Sequence, residues 1–203
     1  MAEIETYFEA KNGKIENVFH EIVSDDVHID VYVMEPNNGQ RILFTVGMSA
    51  KPMPHAPAGR EFAEVMIALP VSWPVSQEEL NNEENYWPIF VLKTFARLPH
   101  GNRCFIPRYI SIPSSHPEEV PYAGTNFTAA MLESPVPLLG PGSDVIAIGN
   151  KEIHLHAIMP LTKEECAMKV SSRDPEFLHR EFARVGADFR DLLIVNKYRS
   201  SVF

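Results

Sequence analysis

The residues of this chain best suited to chemistry lie in two short alternations, His28-x-Asp30 and His154-x-His156. A spacing of two puts both side chains of a pair on the same face of a strand. Imidazole and carboxylate pairs so placed can bind a transition metal if the two strands are neighbours. A metal-dependent hydrolase built on His28, Asp30, His154 and His156 is therefore the enzymatic alternative to weigh. Against it, no His or Cys cluster has a diagnostic metal-site spacing, and alternating polar residues are expected on any half-solvated sheet. Cys104 follows His100 by four residues, and a nearby imidazolium would activate a thiol. A loop flanked by Gly and Pro fixes no such geometry, however, and no G-x-S-x-G signature accompanies it. Gly140-Pro141-Gly142 lacks the Lys and Ser/Thr of a phosphate loop and reads as a turn. No cofactor, nucleotide or metal is expected.

The element that must position the first pair is the stretch 27–53, VHIDVYVMEPNNGQRILFTVGMSAKPM. Val27, Ile29, Val31 and Val33 alternate with His28, Asp30, Tyr32 and Met34, the period of a strand with one buried face. Pro36 cannot continue a central ladder, and Asn37-Asn38-Gly39 can supply positive φ values. The pattern predicts a hairpin of strands 27–35 and 41–48 that presents His28, Asp30 and Tyr32 together on its polar face.

Around the hairpin the reading predicts a strand at 18–24, joined to it through Ser24-Asp25-Asp26, and another at 61–69. Four short strands in tight succession favour antiparallel pairing, because parallel pairing needs long crossovers. Further strands are expected at 127–132, 145–148 and 153–159, the last carrying His154 and His156. Apolar residues at helical spacing mark 87–98 as the main helix, with Pro88 in its first turn and Pro99 ending it. Ile4 to Ala10 forms a short helix stopped by Asn12-Gly13. Thr162 with Glu165 reads as a capping box for a helix to Val170, and Asp174-Pro175 opens a second that Gly186 stops. Residues 99–126 read as an irregular surface segment, and the terminal NKYRSSVF as a tail. The expected fold is thus α/β of the α+β type: a mixed, mostly antiparallel sheet with helices on one face and at the end.

Length and composition narrow the function classes. A chain of 203 residues, 45% hydrophobic, suits one domain over 1–203 with its core at about 18–185. A net charge of −9 and a pI near 5.4 argue against nonspecific binding to nucleic acid or anionic membranes. The acidic opening residues have no apolar core segment, so no secretory signal is expected, and no uncharged run is long enough to span a bilayer. Two cysteines give neither a disulfide framework nor metal spacing, which points to reduced thiols in a cytoplasmic protein.

Five stretches in order, HIDVYVMEP, TVGMSAKPM, EVMIALP, WPIFVLKTFARLPH and HAIMPLTKEE, resemble the suppressor of fused domain over about Val18 to Val185. Each is weak alone, but the ordered set is specific, and HIDVYV and ARLPH are similar to single-domain bacterial members. The resemblance implies a mixed α/β fold used for protein binding, with no catalytic activity. Animal members clamp a peptide strand of Hedgehog-pathway transcription factors between two domains. This chain resembles only the first of those domains, so a Hedgehog role is not expected. The resemblance to bacterial members implies an immunity protein that neutralises a toxin, and an acidic surface is compatible with a basic toxin. The expected contact surface is the polar hairpin face, His28, Asp30 and Tyr32, with the proline-stiffened loops carrying Met48, Ser49, Met53, Trp73 and His100. Loops with fixed φ lose less entropy on docking, and Met, Trp and Tyr suit contact surfaces.

Overall fold

The computed structural model describes residues 2–22, 27–115 and 120–203, so the Ser24-Asp25-Asp26 link lies outside the described residues. The hairpin forms as its sequence predicts. Strand β2 (Asp30–Met34) pairs antiparallel with β3 (Gln40–Val46), with Asn38 and Gly39 both at positive φ in the turn. Strand β1 (Ile15–Phe19) pairs antiparallel with β2 and begins earlier than the expected 18–24, because its partners are Val31 to Met34. Strand β4 (Phe62–Pro70) adds to β3, again antiparallel. The chain then forms helix α2 (Glu83–Gly101), strands β5 (Ser111–Pro113) and β6 (Phe127–Glu133), the short helix α3 (Val136–Leu139), and strands β7 (Val145–Ile148) and β8 (Lys151–Thr162). The eight strands form one sheet in the order β1-β2-β3-β4-β8-β6-β5, with β7 also on β8. The β4–β8 pair is the parallel one, and the chain between them supplies the long crossover that such pairing requires.

Helices cover both faces of this sheet. Helix α2 lies on one, packing Trp87, Val91, Leu92 and Phe95 against Val31, Leu43, Val65 and Ile67. On the other, α1 (Ala2–Asn12), α5 (Phe177–Arg184) and α6 (Phe189–Leu193) bring Ile4, Phe8, Leu178, Phe182 and Leu193 onto Tyr32, Phe44, Met66 and Met159. The alternation in β2 and β4 therefore does not separate a dry face from a wet one. Both sets of positions are buried.

Other features also depart from the pattern-based expectation. Helix α2 starts earlier, where the Asn82 side chain accepts the Glu84 N–H at 3.0 Å, and it continues through Pro99 to Gly101. Proline there removes one backbone donor, while Phe95, Ala96, Pro99 and His100 stay buried. Strand β5 falls inside the stretch expected to be irregular. The C-terminal NKYRSSVF is docked rather than loose. Arg199 grips the buried carboxylate of Glu165 with Nη1 at 2.5 Å and Nη2 at 2.8 Å, Val202 N–H donates to the same carboxylate, and Phe203 stacks on Phe182. Glu165 also completes the expected capping box of α4 (Lys163–Val170) with Thr162. Replacing Arg199 by Ala strips a fully buried carboxylate of its bidentate cation, while two backbone donors remain. The expected loss is about 2 kcal/mol of unfolding free energy, read from urea titration.

Candidate functional site

Asp30 stands at the first residue of β2, where the chain enters the sheet. Its carboxylate accepts from His28 Nε2 at 2.9 Å and from the Glu21 N–H at 3.0 Å on Oδ1, and from His20 Nδ1 at 3.0 Å on Oδ2. The Glu21 carboxylate in turn accepts the Ile29 N–H at 3.0 Å and pairs with Arg97 of α2. These contacts tie the chain beyond β1 to the start of β2 and to the helix above. His20 and His28 are largely exposed, so two imidazoles share one carboxylate at an open sheet corner. Such a corner offers hydrogen bonds to a partner but no enclosed reaction space.

An apolar surface adjoins this corner. Strand β1 ends the sheet, so among the described residues one of its edges is unpaired. Beside it Phe19, Leu80, Tyr86, Ile89 and Lys93 line a shallow depression of about 200 Å³. Lys93 feels Asp30, although burial pulls its pKa below the usual lysine value. One turn apart on the outer side of α2, Tyr86 and Phe90 are exposed, as is Ile22 beyond β1. Glu78, Glu79, Glu83 and Glu84, around the start of α2, are all exposed.

The other residues expected at a contact surface are placed elsewhere. Tyr32 follows the parity of Asp30 into the second face, where α1 covers it. It stacks on Phe44, its hydroxyl donates to Glu5 at 3.0 Å, and burial together with Glu5 pushes its pKa up to about 12. Met48, Ser49, Met53, Trp73 and His100 are all buried. For Met48 and Ser49 the cause is local at Gly47, whose φ of 130° and close approach to the His28 carbonyl exclude any Cβ. This turn folds Met48 and Ser49 inward. His100 then donates from Nε2 to the Met48 carbonyl at 3.0 Å, and Ser49 donates to Glu64. Trp73 donates Nε1–H to the Asn85 carbonyl at 3.1 Å and sets its edge on Trp87. Of the eight expected residues only His28 and Asp30 lie at the surface just described. Sequence reasoning missed Phe19, Tyr86 and Phe90, and the i, i+4 pair Tyr86 and Phe90 outside the apolar stripe was the signal available for them.

The four-residue metal arrangement is not assembled. His28 and Asp30 lie at β2 and His154 and His156 on β8, with β3 and β4 between them in the sheet, a separation of roughly 14 Å at ordinary strand spacing. The condition of neighbouring strands therefore fails. Among the described residues no group of three His, Cys, Asp or Glu side chains could hold a metal ion. His100 is engaged with Met48, and Cys104 faces the Leu98 carbonyl, so these two do not form a thiol–imidazole pair.

The family model described as Suppressor of fused protein (SUFU) matches residues 25–193. A suppressor of fused protein homologue from Neisseria gonorrhoeae FA 1090 is similar in structure, with a TM-score of 0.58 at 14% identity over 98% of this chain and 95% of that one. A chain of a Sufu–Fu complex gives a TM-score of 0.59 at 13% identity, covering 98% of this chain and 88% of that one. Drosophila Suppressor of Fused gives 0.53 at 14% identity, with 87% of this chain matching 43% of that one. No curated protein sequence matches the chain. Among the described residues no helix is long and apolar enough to cross a membrane.

Proposed function

This chain belongs to the suppressor of fused family, and from that premise we propose that it is a non-catalytic protein-binding module whose docking surface is the β1 edge with the outer side of α2. One observation carries the reading: Tyr86 and Phe90 are exposed on α2 near a strand edge unpaired among the described residues and an open Asp30–histidine corner. A strand edge supplies backbone hydrogen bonds to an added peptide segment, and flanking apolar side chains supply its pockets. A structural relative being a chain of a Sufu–Fu complex supports a protein as the ligand class. The exposed acids Glu78, Glu79, Glu83 and Glu84 around the start of α2, on a chain of net charge −9, favour a basic partner. A toxin neutralised in the cytoplasm is the form of that partner we propose, in line with the resemblance to bacterial members. Cys104 and Cys166 are not joined in a disulfide, which suits that compartment.

Affinity capture from the source organism, run in parallel with variants, tests this. Phe90→Asp and Tyr86→Ala remove exposed side chains, so each should leave the melting temperature within about 2 °C of the parent. The partner retained by the parent should be held at least about tenfold less tightly by Phe90→Asp, the loss typical of an aromatic anchor. Equal retention by the parent and both variants would place the docking surface elsewhere.

A further inference from the structure

A second region, on β8, shows the features of a small-molecule site. Strand β8 changes partner along its length: β7 ends its pairing at Val145 opposite His154, and β6 ends its own at Glu133 opposite Ala157. His156 lies where the two strands part. The Leu155 N–H still bonds the Asp144 carbonyl at 3.0 Å, but the fork beyond is open. Over it lies a cavity of about 330 Å³, the lower end of the range for small-ligand sites. Met53, Phe105 and Pro107 form apolar wall, while Arg60, Arg108, Tyr109, Asp144, Glu176, His154 and His156 supply its polar groups. Tyr109 sits there with φ of 69°, a left-handed conformation that an aromatic residue adopts only under constraint.

The polar groups are incompletely used by the fold. His156 is buried, and its Nδ1 has no hydrogen-bond partner. Arg108 reaches Asp144 only at 3.6 Å, and its Nε is buried and unpartnered. Arg60 is exposed and makes no ion pair among the described residues. His154 is committed, donating from Nε2 to the Gly59 carbonyl at 2.7 Å. Buried polar atoms of native folds find partners as a rule, and two residues that line this one cavity, His156 and Arg108, each carry an atom that does not.

We propose that this cavity binds a small molecule through one compact oxyanion, a carboxylate or phosphate group, seated between Arg60, Arg108 and His156. Two guanidinium groups suit an oxyanion geometrically and disfavour a metal cation. Asp144 and Glu176 line the same cavity and select against polyanions, leaving a single anionic group as the fit. The site is separated from the β1 edge by β2, β3 and β4, so it goes beyond the docking reading and stands without it.

Titration of the full chain with sodium acetate and with inorganic phosphate, followed by the imidazole nitrogen resonances of His156, tests the proposal, with sodium chloride at matched ionic strength as control. One or both anions should shift those resonances saturably while chloride does not, and whichever acts identifies the headgroup. Arg60→Gln, at an exposed position that leaves folding intact, should weaken the response about tenfold, the loss expected for one charge-assisted contact. No saturable shift with either anion, or an unchanged affinity in Arg60→Gln, overturns it.

Discussion

Replacing Glu64 by Ala should cost about 3–5 kcal/mol of unfolding free energy, whereas Glu64→Gln should cost about 1 kcal/mol or less. Glu64 is wholly buried between β3 and the turn that leaves it. Its Oε1 accepts from the N–H groups of Gly47 and Ser49, each at 3.0 Å, and from Ser49 Oγ at 2.7 Å; its Oε2 accepts from Thr45 Oγ1 at 2.6 Å. The Gly47–Ser49 turn points its amides inward, and amides so buried need an acceptor. Alanine removes that acceptor and leaves a void. Glutamine keeps one oxygen for the three donors at Oε1, and its amide can donate to Thr45 Oγ1, whose proton then turns to the Val65 carbonyl at 3.3 Å. Burial raises the Glu64 pKa despite these hydrogen bonds. Stability tied to a raised carboxyl is present at low pH and is lost as pH rises through the folded value, so at neutral pH the neutral amide recovers part of what it gives up. Urea titrations with unchanged slope measure both variants. A loss below about 1 kcal/mol in Glu64→Ala would mean that the turn finds other acceptors.

Glu64 also shows where the sequence stopped being legible. The strands announced themselves through alternation, and the hairpin through Asn38-Gly39, because those signals are local and the backbone obeys them. What alternation cannot say is what lies over each face. Tyr32 reads as outward on a half-solvated sheet, but α1, α5 and α6 arrive from the two ends of the chain to cover that side, and Glu64 is enclosed by the Gly47–Ser49 turn. The docked C-terminus was hidden for the same reason: Arg199 acquires its meaning from Glu165, a partner fixed only by tertiary structure. Met48, Met53 and Trp73 carried the composition of a contact surface, yet composition suits a core equally well; the turn at Gly47 sends Met48 inward, and Trp73 packs its edge on Trp87 of α2. His28 and Asp30 stayed near the surface because β2 begins there, at the corner of the sheet.

Acid should destabilise the fold through His156, with about 2 kcal/mol lost between pH 7 and pH 5 from this one group. Burial lowers its pKa to about 3, helped by Arg108, His154 and Arg60 and opposed by Asp144. In the unfolded chain the imidazole titrates near its usual 6.5. Between those values the unfolded state binds the proton that the folded state refuses. The contribution is therefore complete above about pH 6.5 and falls by about 1.4 kcal/mol for each unit below it, until the folded value is reached. Over the whole window the loss amounts to roughly 4–5 kcal/mol, a large share of the stability of an ordinary domain. Leucine at 156 removes the titrating group and the orphaned Nδ1 together, so His156→Leu should be close to the parent in stability at pH 7.5 and more stable than it at pH 5. Unfolding free energies across this range, in chloride-based buffers free of phosphate and carboxylate, give the comparison directly. Superimposable pH profiles for parent and variant would show that the fold opens to protonate His156 without cost, and would remove it as the acid-sensitive element.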